Sequence, residues 1–354
     1  MELTFLQMLI LYCLQKLKGE RTIYSIFHLL HGKKSSQTIQ DAYLFQLTPL
    51  FNTFPHLSRQ ELEHLVSDLF TNKWIQATTS NQHYIVTNER EKELSHLLQE
   101  RPIPSYLNGM KYQSQSVLFW ERLSLLIQVI SYLQQRDSKY IPIQKRPETL
   151  LAVRTFIQQN KNNRKSLGNR LYSELVSCLD EEPEIDPNLF VIRLSGYRSI
   201  GLTLEQAAQK FDLEITQYYY EFLNVLHYMV GKIENKPKEF PILSTLLEPT
   251  QSELLTHSTE KTYSLLNQGY SISDIMAFRQ LKRGTIEDHI VELALKIKDF
   301  SIDPYVNTDK QNEIIKVTKK SNTKQLRFIL NQVEDVTYFE IRLVLAKYGD
   351  QLSC

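Results

Sequence analysis

Glycine is scarce in this chain, at 10 of 354 residues, and cysteine is scarcer still, at three. Few glycines leave few positions for left-handed backbone, and leucine-rich periodic stretches fill the space between them; both point to a mainly helical protein. Cys13, Cys178 and Cys354 stand far apart, with no Cys-x-x-Cys and no Cys/His pair at ligand spacing. A zinc site is therefore not expected, and sparse thiols suit a reducing cytoplasm. Long apolar runs are missing too. The longest, residues 124–133 and 5–14, are too short to span a bilayer, so no membrane partner is expected. The N-terminus begins with an acid, Glu2, and lacks a small-residue cleavage site, so it reads as a core helix and not a signal peptide. Neither sign of charge dominates: 41 Lys/Arg face 40 Asp/Glu, a net of +1. No global field would draw this protein onto nucleic acid, and any such binding must come from local patches.

Catalytic signatures are absent as well. There is no GxxxxGK[ST] loop to cradle phosphates, and no GxGxxG, GxSxG or HExxH. The nine histidines are scattered; His28 and His31 share a helix face but lack a third ligand, so they read as a solvated surface. The acid run Asp180, Glu181, Glu182, Glu184 and Asp186 is broken by Pro183 and closed by Pro187, which suits a linker better than an acid/base pair. The expectation is a non-enzymatic protein without cofactor or metal, in the cytoplasm, with the nucleoid as one place it could act.

What is present is a series of capped helices. The fold class expected is mainly α: tandem helix-turn-helix and winged-helix-like domains with at most a small β-hairpin. Three regions follow from composition breaks. Residues 1–108 read as a winged-helix-like domain, with helices at 3–17, 22–31, 36–49 and 58–72, then a hairpin turning at Ser80, Asn81 and Gln82. Residues 112–245 read as a helical middle domain, with helices at 117–135, 149–160 and 166–179 and a helix-turn-helix-like unit at 201–230. Residues 250–354 hold a second such unit at 259–293 and a capped helix after Thr337, with a polar link at 301–323 that has room for one more helix. In the unit at 259–293, Gly269 ends the first helix, Ser271 or Ser273 caps the second, and Ile272, Ile275, Met276 and Phe278 form its apolar side. Thr285 with Asp288 matches a capping box for the third helix.

Charge is segregated. Between residues 136 and 170 nine Lys/Arg, among them Lys145, Arg146, Lys161, Arg164, Lys165 and Arg170, meet two acids, and from Glu174 to Asp186 six acids follow with no base. The basic run can track phosphates, or the two runs can neutralise each other. A second basic stretch holds Lys16, Lys18, Arg21, Lys33 and Lys34. In the third region Arg279, Lys282, Arg283, Thr285 and His289 are the candidate DNA contacts, but Glu287, Asp288 and Glu292 follow on the same helix and would repel phosphates. Base readout in the major groove is therefore not expected.

The segment QGYSISDIMAFRQLKRGTIEDHIVEL, with the later VTYFEIRLVLA, resembles the helix-turn-helix module at the C-terminus of many bacterial RecQ-family DNA helicases. The stretch KGERTIYSIFHLLHGKKSSQTIQDAYLF resembles the start of the YpbB family of Firmicutes, stand-alone proteins that carry this module. Genes of that family typically neighbour one for a RecQ-like helicase, so the resemblance implies such a helicase as partner. It does not imply ATPase activity, because the phosphate loop is missing. The leading expectation is an accessory or adaptor protein of a RecQ-like helicase in DNA repair or recombination, with DNA touched through phosphates. The alternatives are a helix-turn-helix transcription regulator and an adaptor that binds only protein.

Overall fold

The computed structural model describes residues 3–137, 139–180, 182–248, 255–321 and 323–349, with backbone only at 163–165. Among them are seventeen α-helices and one two-stranded sheet. In chain order these are α1 Phe5–Leu17, α2 Ile23–Leu30, α3 Ser36–Leu44, α4 Arg59–Thr71, β1 Ile75–Ala77, β2 Tyr84–Val86 and α5 Asn88–Glu100. Then come α6 Gly109–Gln134, α7 Pro147–Gln159, α8 Arg164–Leu179, α9 Pro187–Val191, α10 Leu204–Lys210 and α11 Ile215–Asn235. Last are α12 His257–Asn267, α13 Ile272–Arg279, α14 Arg283–Lys296, α15 Thr308–Ser321, α16 Leu326–Leu330 and α17 Tyr338–Tyr348. The mainly helical fold class is as expected.

The chain divides into two compact units: Met1–Leu9 with Glu93–Pro249 forms unit one, and Ile10–Lys92 with Thr250–Cys354 forms unit two. The three regions read from the sequence follow chain order, whereas unit two gathers segments from both the first and the third.

Unit one is built on α6 and α11, which pack along each other, with α7 and α8 against α6 and α9 and α10 against α11. Asn108 caps α6 through the Lys111 N–H, so this helix starts eight residues before the expected point. At 26 residues α6 is long and apolar enough to cross a membrane by length and composition. In this structure its Phe119, Leu123, Leu126 and Ile130 lie in the core instead. Aromatic rings fill the centre: Trp120 meets Phe222 edge-on at 4.9 Å, and Tyr218 donates its hydroxyl to the Leu189 carbonyl at 2.5 Å. His227 is buried near the Tyr112 ring; its Nδ1 accepts the Asn108 N–H at 3.0 Å and its Nε2 has no partner among the described residues. Burial lowers its pKa to about 3, because a charged imidazole there would lose its hydration.

Unit two is built around α14, which packs against α3, α12, α13 and α17. The hairpin pairs Ile75 with Val86 and Ala77 with Tyr84, as the alternation around Ser80 implied. It is clasped rather than free: His83 Nδ1 lies 2.8 Å from the Gly19 carbonyl, and the Ile23 N–H donates to the Gln82 carbonyl at 3.1 Å. A Cβ on Gly19, which has φ +71, would come within 2.8 Å of Ile85. The wing is thus a packing element against the α1–α2 turn. α3 stops at Leu44, short of the expected residue 49, because Gln46 turns left-handed at φ 55 before Pro49. α5 was not read from the sequence; its charge-rich run NEREKELSHLLQE buries only Leu94.

Candidate nucleic-acid and partner interface

The unit at 259–293 begins with α12, whose N-cap Thr256 accepts the Thr259 N–H. Gly269, at φ 86, ends it, and Ser271 with Asp274 forms a capping box that starts α13. Gln280 then takes a left-handed φ of 52, and the Leu281 N–H closes the turn onto the Met276 carbonyl at 3.3 Å. Lys282 stands extended as the N-cap of α14, without a side-chain cap. The helix therefore starts at Arg283, and Thr285 lies inside its first turn. The capping box expected from Thr285 and Asp288 does not form, because the left-handed turn has already fixed the start.

α14 occupies the place of a DNA-reading helix but is packed along its length. Ile286, Ile290, Val291 and Leu293 are fully buried. Its acids are neutralised: Asp288 meets Arg342 at 2.8 Å, Glu287 meets Arg283 at 2.8 Å, and Glu292 meets Lys296 at 2.9 Å. Glu292 also accepts the Thr256 N–H at 2.8 Å and the Thr259 hydroxyl at 2.6 Å. Burial alone would raise the Glu292 carboxyl, but Lys296 and these donors hold it below the usual carboxylate range.

Two of the expected DNA contacts turn inward. Arg279 donates to the Ser258 carbonyl at 2.7 Å and to the Thr262 hydroxyl, so it ties the end of α13 to the start of α12. Thr262, having accepted from Arg279, has its own proton available for His289 Nδ1 at 2.8 Å. His289 is buried, and burial followed by the Arg279 charge lowers its pKa, which keeps it neutral. Thr285 lines a cavity of about 300 Å³ with Lys34 and Ser36, but Asp288 and Glu292 line it too, so its field is mixed. Lys282 and Arg283 are the candidates left in solvent, and Gly284, the second residue of α14, faces open space. Beside them the outer face of α13 is exposed. Phe278, expected on its apolar side, is 72% exposed, and Tyr270 is exposed just ahead of it. An eight-residue helix at the rim buries only Ile275. Sequence reasoning missed this patch because a core face and a docking face have the same composition.

In unit one Lys145, Arg146, Lys161 and Arg170 are exposed. Arg146 pairs with Glu121 at 3.1 Å. Arg164 and Lys165 open α8, and their side chains lie outside the described residues, as does Glu181. Among the described residues no close ion pair joins the acidic run to the basic one, although the Arg170 charge acts on the Glu174 carboxyl. Glu174 is buried and accepts the Ile242 and Leu243 N–H groups at 2.8 and 3.0 Å, Glu184 takes the Ser105 hydroxyl, and Asp186 caps α9.

Residues 258–345, which span α12 to α17, match the family described as "Helix-turn-helix domain". No solved structure matches the chain. The chain is similar to protein YpbB of Bacillus subtilis (strain 168), with 34% identity over 353 residues that cover 99% of each sequence. A likeness of that depth, running end to end, places this protein in the YpbB family.

Proposed function

We propose that this protein is a non-enzymatic accessory protein of a RecQ-like DNA helicase, acting in DNA repair or recombination. The helicase hydrolyses ATP; this chain supplies a docking surface and a phosphate contact, in the cytoplasm at the nucleoid. The outer face of α13, with Phe278 and Tyr270, meets the partner protein. Lys282 and Arg283, at the uncapped start of α14, meet the DNA backbone. The observation that carries this reading is the burial of α14 among four helices, which leaves its N-terminal corner and α13 as the accessible parts. A helix enclosed in that way has no free face for base edges, which disfavours a sequence-reading regulator. The RecQ-like partner is supported by the resemblance of QGYSISDIMAFRQLKRGTIEDHIVEL to the helicase module.

The test is capture of a RecQ-like helicase from the same organism on the immobilised full chain at low salt. Retention by the wild type and loss in Phe278→Ser would support the reading. No association at low salt would sink it. Gel shifts with forked, single-stranded and duplex DNA at two salt concentrations separate an adaptor that touches DNA from one that binds only protein. A few sharp promoter sites in a genome-wide occupancy map would favour the regulator instead.

A further inference from the structure

The run from Ile314 to Val333 holds five cations, Lys316, Lys319, Lys320, Lys324 and Arg327, and no acid. The sequence reading passed over it, because its first part looked like a polar link. In the structure it forms the second half of α15 and the whole of α16. Gln311, Ile314 and Thr318 turn one side of α15 into the core. Lys316, Lys319 and Lys320 then lie together on the opposite, exposed side, within roughly 6 Å of helix axis. Arg327 is exposed beyond the turn, next to Phe328, which is 42% exposed. None of these four cations makes an ion pair among the described residues.

Lys324 behaves differently. Its N–H donates to both carboxylate oxygens of Glu20 at 2.9 and 3.0 Å, and its Nζ donates to the Leu44 carbonyl. This pins the α15–α16 turn to the α1–α2 turn, where Lys18 is exposed at φ 48. The acids nearby are engaged. Glu20 is held by that N–H, and Asp41 by Arg21 at 2.9 Å and by Gln37. Glu313, exposed one turn before Lys316, marks the acidic edge of the patch. Cations in the last turn of a helix complement its dipole, which accounts for Lys319 and Lys320. It does not account for Lys316, for Arg327, or for an exposed ring beside a guanidinium.

We propose that this face of unit two, formed by Lys18, Lys316, Lys319, Lys320, Arg327 and Phe328, binds the backbone of a single nucleic-acid strand. The contact is separate from the Lys282–Arg283 corner and does not require a helicase partner. The cations neutralise successive phosphates, and Phe328 offers a base a ring to stack on.

The test uses the full chain and a fluorescein-labelled oligo-dT strand, with a duplex of equal length alongside, read by anisotropy at about 50 and about 200 mM salt. Lys316→Gln, Lys319→Gln and Lys320→Gln combined should weaken strand binding about tenfold at the lower salt and flatten the salt slope by about two. Phe328→Ala should weaken the single strand about fivefold and leave the duplex unchanged. Arg327→Gln, on a different helix, should flatten the slope by about 0.7 and serves if the triple variant fails to fold. Three results would overturn the proposal: wild-type affinity and slope in folded variants, loss of all strand binding on Lys282→Gln with Arg283→Gln alone, or a triple variant that keeps the strand and loses only an acidic protein partner. Each of them leaves the helicase capture experiment untouched.

Discussion

In the turn between α10 and α11, Asp212 is left-handed at φ 54, Leu213 donates to the Ala208 carbonyl at 2.9 Å, and Glu214 stands extended before the helix. In the turn between α13 and α14, Gln280, Leu281 and Lys282 do the same. Both second helices begin with a capping box, Thr203 with Gln206 and Ser271 with Asp274. The third helices then correspond position by position, Tyr218 with Ile286, Phe222 with Ile290, Asn224 with Glu292 and His227 with Leu295. What differs is the residue at the corner. Glu214 accepts the Phe5 N–H at 2.6 Å and pairs with Arg101 at 3.2 Å, so the chain itself fills that corner. Lys282 is exposed in the same position. The backbone motif is therefore neutral about binding; the N-cap charge and its neighbours decide which corner is closed and which is open.

The largest expected effect tests the buried polar pair. Glu292→Leu should cost about 3 to 4 kcal/mol, because it strands Lys296 and three further donors, the Thr256 N–H and the Thr256 and Thr259 hydroxyls. Asn224→Leu removes one bond, from the Tyr106 N–H, and should cost about 1 to 2 kcal/mol. Denaturant melts of equal loss would break the comparison.

Acid comes next. His227 has its pKa lowered in the folded state, so the folded form binds its proton more weakly than the unfolded chain. Its stability contribution is intact above the unfolded value and is lost as pH falls from there toward about 3. The loss is about 1.4 kcal/mol per pH unit, or roughly 2 kcal/mol at pH 5. His289 shifts the same way in unit two. Protection factors of the α11 amides, taken relative to intrinsic exchange at each pH, should therefore fall between pH 6.5 and 5 and stay flat in His227→Asn, which keeps an acceptor for the Asn108 N–H.

Smaller effects belong to the corners themselves. Glu214→Lys should cost about 1 kcal/mol in a thermal melt and add no DNA affinity, because Arg101 and the α1 terminus occupy that space. Lys282→Glu should change stability by less than about 1 kcal/mol, in the favourable direction, since an acid suits a helix N-terminus. The same change should weaken DNA retention at low salt. If it leaves retention unchanged, the open corner is not a phosphate contact.

Local chemistry was legible in the sequence at three helix starts where the interaction spans three residues. Ser58 with Glu61, Thr203 with Gln206 and Thr337 with Glu340 all form the capping boxes their spacing suggests. Thr285 with Asp288 has the same spacing and fails, because the turn at Gln280 sets the helix start first. The inward turn of Arg279 and His289 was not legible, since it depends on Thr262 and Ser258 of a neighbouring helix. Nor was the partnership of Arg342 with Gln40 and Ser36, which lie about three hundred residues away in the chain. The RecQ-like partner and the DNA contacts rest on resemblance and charge, and the experiments above address them.

The seam between Gln40 and Arg342 has a consequence for synthesis. Gln40 accepts from the Arg342 guanidinium at 3.0 Å and donates to its carbonyl at 3.0 Å. Unit one is encoded almost wholly between these two residues. A ribosome therefore delivers nearly all of unit one before α3 can meet α17, and the early segment waits, with Ile39 and Ala42 uncovered, through most of translation. A nascent chain arrested before α17 would be cut by protease within residues 10–92 while unit one resisted.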